Sequence, residues 1–129
     1  MHICRGNFRS TWFSSGGYEP VAKTLFGHCR VDGFFLEYDS DRAGDFTPLR
    51  FIKDQKVVLG LITSKSGDLE DKGEVIARIK EASQYVPLEQ LCLSPQCGFS
   101  STEEGNILTI EAQWDKLKLI DEIVHEVWG

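Results

Sequence analysis

An α/β fold of four parallel strand–helix units is the architecture this sequence predicts. Short β-branched or aromatic apolar runs recur along the chain, segments with helical spacing of apolar residues stand between them, and the connections are short. A right-handed crossover returns the chain to the same sheet edge, so this alternation implies parallel strands with helices packed outside.

The first run, His2-Ile3-Cys4, reads as the end of a strand whose front is missing. A loop rich in Gly and Ser (Ser14 to Gly17) follows, and Glu19-Pro20-Val21 opens a short helix, with Pro suited to a first turn and Gly27 to the end. Val31 to Tyr38 holds Phe34, Phe35 and Leu36 in succession, the pattern of a strand covered on both faces. Asp45 to Ile52 is expected to form a short helical turn limited by Pro48. Lys56 to Ile62 (KVVLGLI) is the clearest strand. Leu69 to Tyr85 is an amphipathic helix, with Val75, Ile76, Ile79 and Ala82 inward, Lys72, Glu74, Arg78, Lys80 and Glu81 outward, and Pro87 as its stop. Leu91 to Ser94 (LCLS) forms a fourth strand, followed by the turn-rich Pro95-Gln96-Cys97-Gly98. A last helix spans about Thr109 to Val127, with Ile110, Trp114, Leu117, Ile120, Val124 and Val127 as its expected buried stripe.

The length, 129 residues, suits one domain and is about half of what a complete (β/α)₈ barrel needs. Residues 1–129 therefore read as a single segment. With 14 Lys+Arg against 20 Asp+Glu the net charge is −6, which argues against a general nucleic-acid binder. No apolar run approaches the ~20 residues of a membrane span, and the N-terminus lacks the apolar core of a signal peptide. The expectation is a cytoplasmic protein with no membrane or nucleic-acid partner, whose four cysteines stay reduced.

In parallel α/β folds the chemistry gathers at the C-terminal ends of the strands. Four metal-capable side chains are expected there: His2 and Cys4 at i and i+2 of the first strand, Glu37 at the end of the second, and Cys97 past the fourth. One imidazole, two thiolates and a carboxylate make a competent tetrahedral zinc set. Each also has a plainer reading: a cysteine beside a strand is often a small buried hydrophobe, and a glutamate after a strand is usually solvated.

The ordered combination of HIC, FFLEYD, GLITSKSGDLEDKGEVIARIKEA and LCLSPQCGF resembles the C-terminal part of cobalamin-independent methionine synthases and their shorter relatives, over nearly the whole chain. In that family the catalytic zinc is held by an H-x-C motif, a Glu ending the next strand and the Cys of P-x-C-G. The resemblance puts these on His2, Cys4, Glu37 and Cys97. It implies Zn²⁺ as cofactor, the C-terminal half of a TIM (β/α)₈ barrel as fold, and methyl transfer from 5-methyltetrahydrofolate, usually polyglutamylated, to the homocysteine thiol to form methionine.

The chain departs from the larger synthases where their third strand of this region carries D-I-H-S, whose His is assigned to proton delivery. Thr63-Ser64-Lys65-Ser66 stands here instead. Lys65 is the candidate for the catalytic role, as proton donor or holder of a substrate anion, with a solvated loop lysine as the alternative. Arg5 and Arg9, beside Asn7 and Trp12, are candidates for binding a substrate carboxylate or for surface ion pairs. Asp39, Asp41 and Arg42 either orient the site or cap a turn. His28, Cys29, Cys92 and His125 are assigned no role.

The family's earlier strands supply much of the substrate surface, so the isolated chain is expected to be inactive. It is either a fragment of a longer protein or a reduced half-barrel. Two open sheet edges and one poorly covered face imply that it pairs with the missing N-terminal half or self-associates. Alternative readings are a non-catalytic half-barrel that binds zinc or a partner, and a zinc thiol-methyltransferase with another methyl donor.

Overall fold

Four strands pair in chain order, all parallel: β1 (His2–Ile3), β2 (Gly33–Glu37), β3 (Lys56–Ile62) and β4 (Leu91–Pro95). Helices α1 (Glu19–His28), α2 (Lys72–Ala82) and α3 (Ile110–Trp128) and the 3₁₀ turns Thr47–Phe51 and Leu88–Gln90 connect and complete them among the described residues. The structure is a computed structural model and describes residues 1–4, 9–10, 16–40, 43–100 and 103–129. The parallel strand–helix architecture expected from the sequence is therefore present, and it is consistent with half of a TIM barrel.

The pairing register explains the core. Phe34, Val57 and Leu91 lie side by side, as do Leu36, Leu59 and Leu93, and they face the helices. Phe34, Val57, Leu36 and Leu59 are essentially inaccessible. A row of aromatic rings continues this core at one side, with Tyr38 between Tyr18 (5.3 Å between centroids) and Phe46 (4.6 Å). The other face carries Phe35, Val58 and Cys92 in one row. Phe35 is 49% exposed. The apolar run in β2 predicted cover on both faces, whereas one face is open among the described residues. Consecutive side chains of a strand point to opposite faces, so an apolar run shows what both faces could bury, not what covers them.

The helices start where their caps allow. The Asp71 side chain accepts from the Glu74 amide and sets the start of α2 at Lys72, three residues later than the apolar spacing suggested. Thr109 does the same for α3 through the Ala112 amide. The buried face of α3 differs from the expected stripe. Lys116, Leu119 and Ile123 are buried, with Ile120 and Val127 partly so, while Ile110 and Trp114 are 72% and 60% exposed. The first turns of the expected stripe, Ile110 and Trp114, are exposed, while its later members Ile120 and Val127 pack beside Lys116, Leu119 and Ile123. Lys116 occupies a core position because its ammonium reaches the Asp68 carbonyl at 2.8 Å and both Glu70 carboxylate oxygens at 3.1 Å.

The open face has a testable consequence. Light scattering on the purified chain is expected to show concentration-dependent self-association, weakened by Phe35→Ser, because burying an aromatic side chain contributes about 1.5–3 kcal/mol. A monodisperse monomer at high concentration would contradict this.

Candidate metal centre

Three strand ends converge on one point. His2 lies on β1 and Cys4 just after it, Glu37 ends β2, and Cys97 follows β4 by two residues. One ligand atom from each of these four residues lies within 4.8 Å of the others. The Cys97 thiol donates to Glu37 Oε1 at 3.0 Å, Cys4 and Cys97 Sγ are 3.5 Å apart, and His2 Nε2 is 3.6 Å from the same Glu37 oxygen. Metal–ligand bonds of ~2.0–2.3 Å place the corners of a tetrahedron ~3.3–3.8 Å apart, close to these separations. The donor types suit the same coordination, so the residues present fit a tetrahedral metal ion.

Several groups fix this arrangement. The Glu37 side chain is fully buried. Its backbone is held by Tyr18, whose hydroxyl accepts from the Glu37 amide at 2.8 Å and donates to the Glu37 carbonyl at 3.3 Å. Gly60, beside Glu37 in β3, permits a close approach of backbones. A Cβ there would lie 2.8 Å from the Leu36 carbonyl oxygen and 3.0 Å from Gln96 Cα. Both neighbours are backbone atoms and cannot swing aside. Gly60→Ala is accordingly expected to destabilise the fold by about 1–3 kcal/mol, the usual range for overpacking, and to shift the segment carrying Cys97. Chemical denaturation and metal titration of the variant check both effects.

The electrostatics follow from crowding. Burial, the Glu37 hydrogen bond and the Cys4 sulfur all push the Cys97 thiol far above its ordinary range. A carboxylate and two sulfurs this close need protons or a cation between them, and a bound cation reverses the shift. Beside them, burial raises the Asp39 carboxyl, opposed by the Lys65 ammonium and a hydrogen bond with Thr63. Lys65 itself is only 6% exposed, so the solvated alternative for it does not hold.

The arginines are less informative. Arg9 is exposed, in a turn with φ 44°. Arg5, Asn7, Trp12, Asp41 and Arg42 lie outside the described residues. All four cysteines are thiols. Reasoning from spacing missed Tyr18, Gln96, Ser64 and Asn106, which support the site without ligand-type chemistry. Of these, Gln96 had a signal in its place inside P-x-C-G and Ser64 in the stretch Thr63 to Ser66, whereas Tyr18 and Asn106 had none. A cavity of about 400 Å³ opens beside the donors, bounded by His2, Phe35, Pro95, Gln96 and Cys97. No helix of the described residues is long and apolar enough to cross a membrane.

No family model matches the chain. The protein YxjH of Bacillus subtilis (strain 168) is 62% identical over 130 aligned residues, which cover 99% of this chain and 34% of that protein. A structure from Listeria monocytogenes, provisionally described as a vitamin-B12-independent methionine synthase, matches all of this chain and 34% of its own, with TM-score 0.73 and 47% identity. The structure of a B12-independent methionine synthase from Shewanella sp. W3-18-1, described in complex with selenomethionine, matches 97% of this chain and 38% of its own, with TM-score 0.73; at 23% identity it speaks for the fold alone. This chain thus spans about a third of the length of the curated relatives it matches.

Proposed function

We propose that this chain, whose structural neighbours are cobalamin-independent methionine synthases, is the zinc-bearing C-terminal half of a methyltransferase barrel that moves a methyl group from a methyl-folate to the homocysteine thiol. The observation that carries this reading is the convergence of His2, Cys4, Glu37 and Cys97 from three strand ends. These four would hold Zn²⁺. When bound, the ion lowers the pKa of a coordinated thiol so that it is a thiolate at neutral pH. Other groups of the chain bind and orient. Lys65, buried past the end of β3 near Asp39, is the proposed group to hold a substrate carboxylate or to deliver a proton. Arg5 and Arg9 are proposed to meet a substrate carboxylate from the loop after β1.

The test joins metal content to turnover. Purified chain is expected to hold one zinc, and methionine formation from homocysteine and 5-methyltetrahydrofolate is expected only when the remaining two thirds of the longer relatives' chain is supplied. Lys65→Ala in that full-length context is expected to lower kcat/KM by about 10²–10⁴, the usual contribution of a positioned acid or base. A chain that takes up no zinc would sink the proposal. The half-exposed Phe35 on the open face also supports a second reading, in which the chain binds zinc and a partner without turnover. Zinc uptake with no methyl transfer in the full-length context would favour that one.

A further inference from the structure

Next to the metal donors lies a buried polar side chain that a ligand reading does not use. Gln96 is 4% exposed, and both ends of its amide are engaged. Its Nε2 lies 3.4 Å from Cys97 Sγ, and its Oε1 accepts from the Ser64 hydroxyl at 3.3 Å. Ser64 is fixed in turn, because Asn106 Nδ2 donates to its carbonyl at 2.9 Å. Asn106 Oδ1 accepts from the Ser10 hydroxyl at 3.0 Å and from the Leu108 amide at 2.9 Å. Ser10 sits in a turn with φ 65°, a backbone conformation that non-glycine residues rarely adopt. Residues after β1, β3 and β4 are thereby linked, through Asn106 and Ser64, to the Gln96 amide that faces one of the two sulfurs.

We propose that Gln96 is a positioning residue of this centre: its N–H···S bond holds the Cys97 sulfur as a ligand and damps its reactivity toward electrophiles. The inference rests on the metal reading above. A thiolate uses the same lone pairs to accept a hydrogen bond and to attack carbon, so a donor aimed at it lowers its nucleophilicity. In a site proposed to methylate a bound thiol, the protein's own thiolates compete with the substrate for the methyl group. An amide on Cys97 handicaps one competitor, while an incoming thiol carries no such donor. A thiolate only accepts, so it selects the NH₂ end of the amide, and the Ser64 hydroxyl donates to the Oε1 left on the other side.

The experiment compares the two sulfurs within one molecule. Cobalt(II)-loaded full chain is treated with iodoacetamide, which forms an S–C bond as iodide leaves, and labelling of Cys97 and Cys4 is read by peptide mass spectrometry. In Gln96→Met the Cys97/Cys4 labelling ratio is expected to rise about tenfold, as loss of one hydrogen bond to a charged acceptor implies. The sulfur-to-cobalt charge-transfer band is expected to move to lower energy. Ser64→Ala, which frees the amide to turn, provides a milder variant and is expected to shift both readouts in the same direction. An unchanged ratio and band in both variants, with metal bound, would overturn the role of Gln96 and leave the metal reading standing. If the unaltered chain takes up no cobalt, the metal reading falls and this inference falls with it.

Discussion

Glu70→Gln is expected to cost the fold about 3–5 kcal/mol, the range for removing one partner of a buried ion pair. The reason lies in where each charge sits. The Lys116 side chain is fully buried and the Glu70 side chain 20% exposed, so the ammonium depends on the carboxylate while the carboxylate still reaches water. Glutamine keeps an oxygen for the Thr63 amide, which donates to Glu70 Oε1 at 2.8 Å, so the loss reports on charge. The converse change, Lys116→Met, is expected to cost less, because the carboxylate left behind can be hydrated. Combining the two changes removes both charges and is expected to be less destabilising than Glu70→Gln alone. Urea titration of the three variants checks the order. A double variant weaker than Glu70→Gln would show that the pair stabilises by more than mutual neutralisation.

Cys97→Ser is expected to have the largest effect on metal binding. A four-ligand zinc site contributes about 10–16 kcal/mol in apparent binding free energy, so an equal share per ligand is about 3 kcal/mol, or roughly a hundredfold in affinity. Competition with a chromophoric chelator measures this directly. The pH dependence has a definite sign. Without metal the Cys97 proton is held tightly, because burial and the neighbouring Glu37 and Cys4 oppose its release. Metal uptake must expel that proton, so affinity is expected to rise with pH through the neutral range. A flat profile would mean that the thiol is not a ligand.

How much of this was legible in the sequence varied with the physical signal. KVVLGLI could hardly be anything but a strand, and β3 has the boundaries expected of it. Helix α2 carried its period clearly but not its start, which a single cap, Asp71, decides. The α3 face was misread because Trp114 and Ile110 weigh more on any apolar count than Lys116, whose burial depends on an acceptor 46 residues away. His2, Cys4, Glu37 and Cys97 stood out because ligand-type residues at strand ends are informative by position. Tyr18 and Asn106 did not, since a hydroxyl bonded to a strand end, or an amide tying two loops, leaves no pattern in a single chain.

The thiols that touch follow the two outermost strands of the sheet. At ~4.8 Å per strand step, a flat arrangement would hold β1 and β4 about 14 Å apart, so curl of the sheet and the turns after β1 and β4 together bring Cys4 and Cys97 within 3.5 Å. The centre therefore cannot be assembled from any subset of strands: the ladder must be complete and bent before the first and last members meet. On the proposed metal reading, metal capture would be the closing event of folding. A metal-responsive signal during refolding is expected to lag behind burial of the aromatic core, which needs no such closure.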